Sequence, residues 1–381
     1  MKVGILTLTL HTNYGGILQA YALQQTLERL GHNVVVLDKD RDIKYNQFRL
    51  IMSKGKFYVK KYLLGRKIVY KSPDQYNKEV HEREQYTRQF INKYIHTRIV
   101  NSINNKTFDD VEAIIVGSDQ VWRPRYFKRQ WKTNISNAFL HFARNRSVKK
   151  ISYGASFGTD DWEYSVSETK DCTLLLQNFN AVSVRESTAI QLCREKLNRM
   201  DAVHVLDPTM LLSKEDYIRL VEESGVSKSQ GDLMCYVLDP NEDIDSLIKR
   251  IAEERKLTPF YTTSQVANIR LPNKMRIQPP LESWLRGFID AEFVITDSFH
   301  ACVFSILFGK PFVVIGNKSR GMSRFSSLLE MFSLQNNLLL FPDDYNPERS
   351  YDIPDISYEN LDLWKRHSLS FLENSLNPYF E

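Results

Sequence analysis

The chain has 381 residues and 44.6 kDa, which at about 150 residues per domain allows two or three domains and excludes a small stapled module. Its 42% hydrophobic, 12% aromatic and 25% charged residues sit in the globular range and exclude a disordered or fibrous chain. The net charge of +5 permits anionic partners but is far from a nucleic-acid-binding arm, so no nucleic-acid partner is expected.

Four cysteines, Cys172, Cys193, Cys235 and Cys302, are spread without a C-x-x-C pair and without histidines at ligand spacing. That pattern argues against a zinc site and a disulfide framework; no metal or cofactor is expected, and a reducing cytoplasm fits best. Residues 3–10 form a short apolar run behind one lysine but lead into His11 with no small-residue cleavage site, so they read as a first strand. No apolar run approaches the ~18 residues of a transmembrane helix, which makes any membrane contact peripheral.

In chain order, residues 2–8 predict a strand, 17–30 a helix with apolar positions at helical spacing, and 34–37 a β-branched strand, with Gly31 as the helix stop. This βαβ start predicts a parallel, doubly wound sheet. Residues 39–71 then carry eleven Lys or Arg against two Asp, interleaved with six aromatics. They read either as a solvated insertion with its aromatics docked on the body, or as an amphipathic surface for anionic lipid or a polyanionic acceptor. Residues 76–98 read as an exposed helix.

Alternation resumes with strand candidates at 113–116, 151–153, 181–184 and 203–206, each ending in a polar or glycine-bearing turn. In open α/β sheets ligands sit beyond the carboxyl ends of the strands, so these turns are expected to line one edge of a cleft. A second alternation runs from 233 to 315, and a helix is expected over about 358–376. The reading is therefore a Rossmann-like unit over 1–210, a second over 211–355, and a C-terminal helix within 356–381 that packs back across the junction.

Thr296-Asp297-Ser298-Phe299-His300 puts polar groups and one imidazole where a buried strand becomes an apolar helix, and helix N-termini favour anions. Gly316 to Gly321 adds Lys318 and Arg320 beside it. The local alternative is an ordinary N-cap at Asp297 or Ser298 and a structural histidine. Arg185 opens a helix directly from a strand, uphill against the helix dipole, which calls for an anion or for a carboxylate partner. Asn13-Tyr14-Gly15-Gly16 allows close backbone approach at a strand-to-helix step but is neither a dinucleotide fingerprint nor a P-loop. Asp38 stands where a ribose-binding acid would, without the glycines that accompany one. H-E-x-x-H is absent and no His/Cys set is clustered, which argues against the usual zinc-hydrolase machinery.

An ordered set of segments carries a resemblance: Asn13-Tyr14-Gly15-Gly16 with Leu18 to Leu23, Val116-Gly117-Ser118-Asp119-Gln120-Val121-Trp122, Ser152 to Gly158, Ser183-Val184-Arg185-Glu186-Ser187, Leu206-Asp207-Pro208-Thr209 and Thr296 to His300. Together they resemble the polysaccharide pyruvyl transferase family of bacterial surface-polysaccharide loci. The resemblance implies two Rossmann-like domains facing a cleft, similar to the GT-B glycosyltransferases. It also implies transfer of pyruvate from phosphoenolpyruvate to two sugar hydroxyls as a cyclic ketal. Carried over by position, the family's essential histidine falls on His300, its strand-end arginine on Arg185, and its loop cation on Lys318 or Arg320.

Phosphoenolpyruvate bears a phosphate and a carboxylate, which call for two or three cations and helix-terminus N–H groups; Arg185, Lys318, Arg320 and the turn at Ser298 meet that need. His300 is suited to acid and base work. Asn13, Gly15, Gly16, Ser118, Asp119, Gly154 and Ser156 are the expected acceptor-side residues. The acceptor is expected to be a sugar or lipid-linked oligosaccharide at the inner face of an anionic membrane. A nucleotide-sugar glycosyltransferase and a non-catalytic glycan-binding protein are the alternatives.

Overall fold

The alternation of apolar runs and amphipathic segments builds two parallel sheets. The computed structural model describes residues 1–63, 65, 70–266, 268–316 and 321–377. In chain order the first part holds β1 (Lys2–Leu6), α1 (Tyr14–Arg29), β2 (Asn33–Lys39), α2 (Gln47–Tyr58), α3 (Pro73–Tyr94), β3 (Thr97–Val100), β4 (Ala113–Val116) and α4 (Pro124–Trp131). There follow β5 (Lys149–Ala155), α5 (Val166–Leu176), β6 (Ala181–Val184), α6 (Ser187–Leu197), β7 (Val203–His204) and α7 (Lys214–Ser224). The second part holds β8 (Leu233–Tyr236), α8 (Glu242–Arg255), β9 (Pro259–Phe260), α9 (Leu281–Asp290), β10 (Phe293–Thr296) and α10 (Phe299–Phe308). It closes with β11 (Phe312–Ile315), α11 (Ser323–Met331), β12 (Leu338–Leu339) and α12 (Asp355–Leu376).

The first sheet runs β3-β2-β1-β4-β5-β6-β7 and the second β12-β11-β10-β8-β9, with parallel pairing throughout. Every residue of β4, β8, β10 and β11 is buried, as parallel strands covered on both faces require. Strand order reverses between β1 and β4 in the first sheet and between β8 and β10 in the second, so each sheet has its crevice at those carboxyl ends.

One hydrophobic core joins the sheets, running from Val3 and Ile5 through Tyr217 and Trp284 to Phe304 and Leu376. Tyr14, at the start of α1, packs on Trp284 and Tyr236 and donates its hydroxyl to the carbonyl of Pro279 at 2.7 Å. Arg29 grips both carboxylate oxygens of Asp216 at 2.8 and 2.9 Å. α12 crosses the junction: Ser357 donates to the Phe332 carbonyl, Ser368 accepts from the Leu206 N–H at 3.0 Å, and Phe371 packs on Tyr153. Among the described residues no helix is long and apolar enough to cross a membrane.

Two local expectations change. The exposed helix stops at Tyr94, and Thr97–Val100 becomes an edge strand on β2, where the His96 carbonyl accepts from Val36 and β-branched residues suit a pleat. The aromatics of the basic segment are only partly docked: no residue of α2 is buried and Phe48 and Tyr62 are about 70% exposed, while Phe57 and Tyr70 are half-buried and pack on each other.

Because Tyr14 fills a joint between two sheets, Tyr14→Ala is expected to lower unfolding stability by about 3–5 kcal/mol, as truncation of a buried aromatic does. Urea titration of both proteins checks this.

Candidate functional site

The carboxyl ends of β4, β6 and β7 deliver three side chains to one point. Arg185 follows β6, Ser118 follows β4, and Asp207 lies three residues beyond β7, where it starts the 3₁₀ turn Pro208–Met210. Arg185 Nη1 donates to Asp207 Oδ2 at 2.7 Å, and Ser118 Oγ donates to the same oxygen at 3.2 Å. Asp207 Oδ1 accepts from the Thr209 N–H at 3.0 Å and its hydroxyl at 2.7 Å. Burial alone would raise this carboxyl; the charges of His300 and Arg185, with the Thr209 donors, overcome it and hold Asp207 well below the ordinary carboxylate range. Asp119 Oδ1 lies 3.8 Å from Arg185 Nη2, on a residue in the left-handed region at φ 68°.

From the second sheet, the first turn of α10 brings His300 to this cluster. Its Nε2 lies 3.6 Å from Asp207 Oδ2, longer than a hydrogen bond, so the carboxylate acts on the imidazole as a charge. The ring sits against Gly15 of α1: a Cβ on that glycine would fall 2.1 Å from Nδ1. The Phe299 ring lies 4.4 Å from the Arg185 guanidinium carbon and 5.5 Å from that of Arg324, in α11. Burial, then the Arg185 charge, pushes Arg324 down to about 10.

Among the described residues, neither Nε nor Nη2 of buried Arg185 has a hydrogen-bond partner, and neither does Nε2 of buried His300. A guanidinium has five N–H groups in a planar fork, and leaving buried donors unpaired is costly. Glu186 beside it has one oxygen held by Ser156 Oγ, the Phe157 N–H and the Gly158 N–H at 2.9 to 3.3 Å, while the other has no partner among the described residues. Burial holds this carboxyl above its ordinary range against the pull of Arg185 and Arg324. The arrangement sets guanidinium donors and an imidazole side by side, groups whose chemistry suits anion binding and proton transfer.

Of the residues singled out by sequence, Arg185, His300, Ser118, Asp119 and Gly15 meet in this cluster. Gly16 adjoins it, where a Cβ would come within 2.8 Å of the Asn13 amide and 3.4 Å of Asp119 Oδ2. Ser298 is the N-cap of α10 and makes no side-chain capping bond, leaving that helix end to other acceptors. Gly154 sits next to Ser118 at φ 58°, the left-handed region that favours glycine, and the Ser156 hydroxyl is spent on Glu186. Lys318 and Arg320 lie outside the described residues. Asp297 is structural, accepting from the Leu238 and Asp239 N–H groups at 2.7 and 2.9 Å. Asp38 is held by Arg88 at 2.7 Å and the Leu10 N–H at 3.0 Å rather than facing a ribose. Sequence reasoning missed Asp207, Arg324 and Glu186 as site residues: Asp207 before Pro208 reads as an ordinary cap, and Glu186 and Arg324 stand among other charged and polar residues. Among the described residues no group of three His, Cys, Asp or Glu could hold a metal ion.

A family model described as polysaccharide pyruvyl transferase matches residues 13–319. No relative was found among curated proteins. Among solved structures, a protein described as a UDP-N-acetylglucosamine 2-epimerase of Listeria monocytogenes gives a TM-score of 0.50 at 13% identity, covering 100% of this chain and 92% of that one. The Neisseria meningitidis UDP-GlcNAc 2-epimerase bound to UDP-GlcNAc gives 0.47 at 10% identity, covering 98% and 99%. Arabidopsis thaliana UGT89C1 complexed with quercetin gives 0.40 at 10% identity, covering 99% and 95%. The Listeria likeness concerns fold, and with the two parallel sheets it makes the architecture GT-B-like.

A carboxyl depressed in the native state adds stability above its unfolded pKa of about 3.9, and that contribution is lost as pH falls through the native value. Asp207→Asn is therefore expected to be less stable than the wild type at neutral pH, with a shallower loss of stability below about pH 4. Urea titrations across that range check both parts.

Proposed function

The chain belongs to the polysaccharide pyruvyl transferase family, and from that premise we propose that it moves pyruvate from phosphoenolpyruvate onto two hydroxyls of a sugar, forming a cyclic ketal at the Arg185–Asp207–His300 cluster. Membership makes it a transferase of polysaccharide biosynthesis. The observation that carries the proposal is the pair of donors, Nε and Nη2, left without a partner among the described residues on a buried Arg185, beside a buried His300 whose Nε2 is likewise without one.

In this reading Arg185 takes the donor's carboxylate or phosphate in a planar fork, with Arg324 as the second cation and the open N-terminus of α10 at Ser298 as a third source of donors. Asp207 keeps Arg185 in place and holds a negative charge 3.6 Å from the imidazole. His300 gives its proton to the methylene carbon, which becomes the methyl group. One sugar hydroxyl attacks the resulting cationic carbon and loses its proton. The bond from that carbon to the bridging oxygen breaks, phosphate leaves, and the second hydroxyl closes the ketal while losing its own proton. The two hydroxyl protons restore His300 and the phosphate. Asn13, Gly15, Gly16, Ser118 and Asp119 supply the acceptor side. The acceptor is a sugar of a lipid-linked precursor, and the reaction runs in the cytoplasm at the inner membrane face.

Phosphoenolpyruvate at a hundredfold excess over its Kd is expected to stabilise the wild type by about 2.7 kcal/mol, read as a rise in Tm. Arg185→Ala is expected to abolish that rise. His300→Ala is expected to keep it while losing about 10²- to 10⁴-fold in ketal formation, followed by mass spectrometry of the sugar product. Stabilisation by uridine or guanosine nucleotide sugars, with none by phosphoenolpyruvate, would replace this reading with glycosyl transfer. Sugar binding unaffected by His300→Ala and without turnover would replace it with a non-catalytic role.

A further inference from the structure

The segment after β2 turns an apolar face away from the protein. Phe48, Ile51, Met52 and Tyr58 of α2, with Val59 just beyond it, recur at the three- and four-residue spacing of one helix side, and Gly55 completes the stripe. The π-helical turn Val59–Leu63 extends it with Tyr62 and Leu63. These seven side chains are between 47% and 78% exposed, whereas Leu50, Ser53 and Phe57 on the opposite side are half-buried. An ordinary surface helix has the reverse arrangement.

The base of the segment is fixed, which argues that the outward face belongs to the fold. Asn77 of α3 brackets Ile43, accepting from its N–H at 2.9 Å and donating to its carbonyl at 3.2 Å. Asp42 pairs with His81 at 2.7 Å and Arg41 pairs with Glu84. From this base the helix leaves the carboxyl end of β2, the same sheet edge that carries Asn13, Ser118 and Asp119.

Charge decides what covers the stripe. Residues 43–71 hold nine Lys or Arg and no Asp or Glu, and Arg49, Lys54, Lys56 and Lys61 are exposed along its flanks. A second copy docked face to face would bring these cationic flanks together, which is unfavourable. An anionic lipid surface satisfies both features at once, apolar side chains entering the acyl boundary and ammonium or guanidinium groups meeting the headgroups. We propose that residues 47–63 form a membrane-docking element that lays Phe48, Ile51, Tyr58 and Tyr62 into an anionic bilayer. The inference rests on the surface alone and not on the donor assigned above.

The test is co-sedimentation of the full chain with vesicles of phosphatidylcholine alone and of equal parts phosphatidylcholine and phosphatidylglycerol. Pelleting with the mixed vesicles is expected, about tenfold or more weaker on phosphatidylcholine alone. It is expected to be lost in the triple variant Phe48→Asp, Ile51→Asp, Tyr62→Asp and in Lys54→Glu, Lys56→Glu, Lys61→Glu. Because these side chains are exposed, both variants should keep the wild-type Tm and its response to phosphoenolpyruvate, which separates failure of this proposal from failure of the donor reading. Absence of pelleting, equal pelleting with both vesicles, or undiminished binding by the charge-reversed variant overturns it. A concentration-dependent dimer in light scattering, abolished by the aspartate variant, also overturns it and gives the stripe to a second copy.

Discussion

A buried ion pair at the junction of two sheets is the constraint around which the site is arranged. Desolvating Arg185 and Asp207 costs several kcal/mol per ion, and their attraction offsets that only if the geometry is good and other donors serve the carboxylate. Ser118 and Thr209 provide those donors, at 2.7 to 3.2 Å. The pairing depends on parallel register, since β6 and β7 are neighbours whose carboxyl ends place residues 185 and 207 side by side. His300 then meets a negative charge fixed before it arrives. Its ring reaches that charge because position 15 has no side chain; any Cβ there would occupy the imidazole's place.

A cluster drawn from two sheets works only if the sheets hold a fixed relation, to within about 0.5 Å for catalytic geometry. The shared core supplies this. Tyr14 is anchored among Trp284, Tyr236 and Pro279 one residue before the glycine that receives His300, so the residue that locks the joint and the residue that makes room for the imidazole are adjacent. Further links lie around the same junction: the Ser187 N–H donates to Ser327 of α11 at 2.9 Å, and α12 spans both sheets. Chemistry and stability thus use one stretch of α1.

Much of this was legible in the sequence, for reasons that are local. Strands such as 113–116 and 181–184 are short apolar runs bounded by polar turns, and their bounds match the structure. Arg185 and His300 stood out because a cation at a helix start and an imidazole in an apolar first turn are locally unexpected. Asp207 did not, because a carboxylate before Pro-Thr reads as an ordinary cap, and it is one; its second oxygen finds Arg185 only through the pairing of β6 with β7. Arg324 was hidden by its neighbours Lys318 and Arg320, which offered the same charge. β3 was hidden because Thr97–Val100 follows a helical pattern without a glycine or proline, so only pairing with β2 distinguishes it.

Three places break a local rule, and how each is compensated differs. Arg185 opposes the dipole of α6, and Asp207 neutralises it within the chain. Asp119 adopts a left-handed conformation, and its own carboxylate accepts from the Gln120 N–H at 2.8 Å, the local bond that makes aspartate tolerant of that region. Both exceptions sit in the site, as expected where function overrides propensity. The third is α2, whose apolar side faces solvent while its half-buried side includes a serine. Burying that stripe against the body would require turning the helix about its axis and presenting Arg49, Lys54 and Lys56 to the core, where unpaired cations are far costlier than exposed apolar groups. The flanking charge therefore holds the helix outward, and the proposed contact with an anionic bilayer would compensate the exposed stripe.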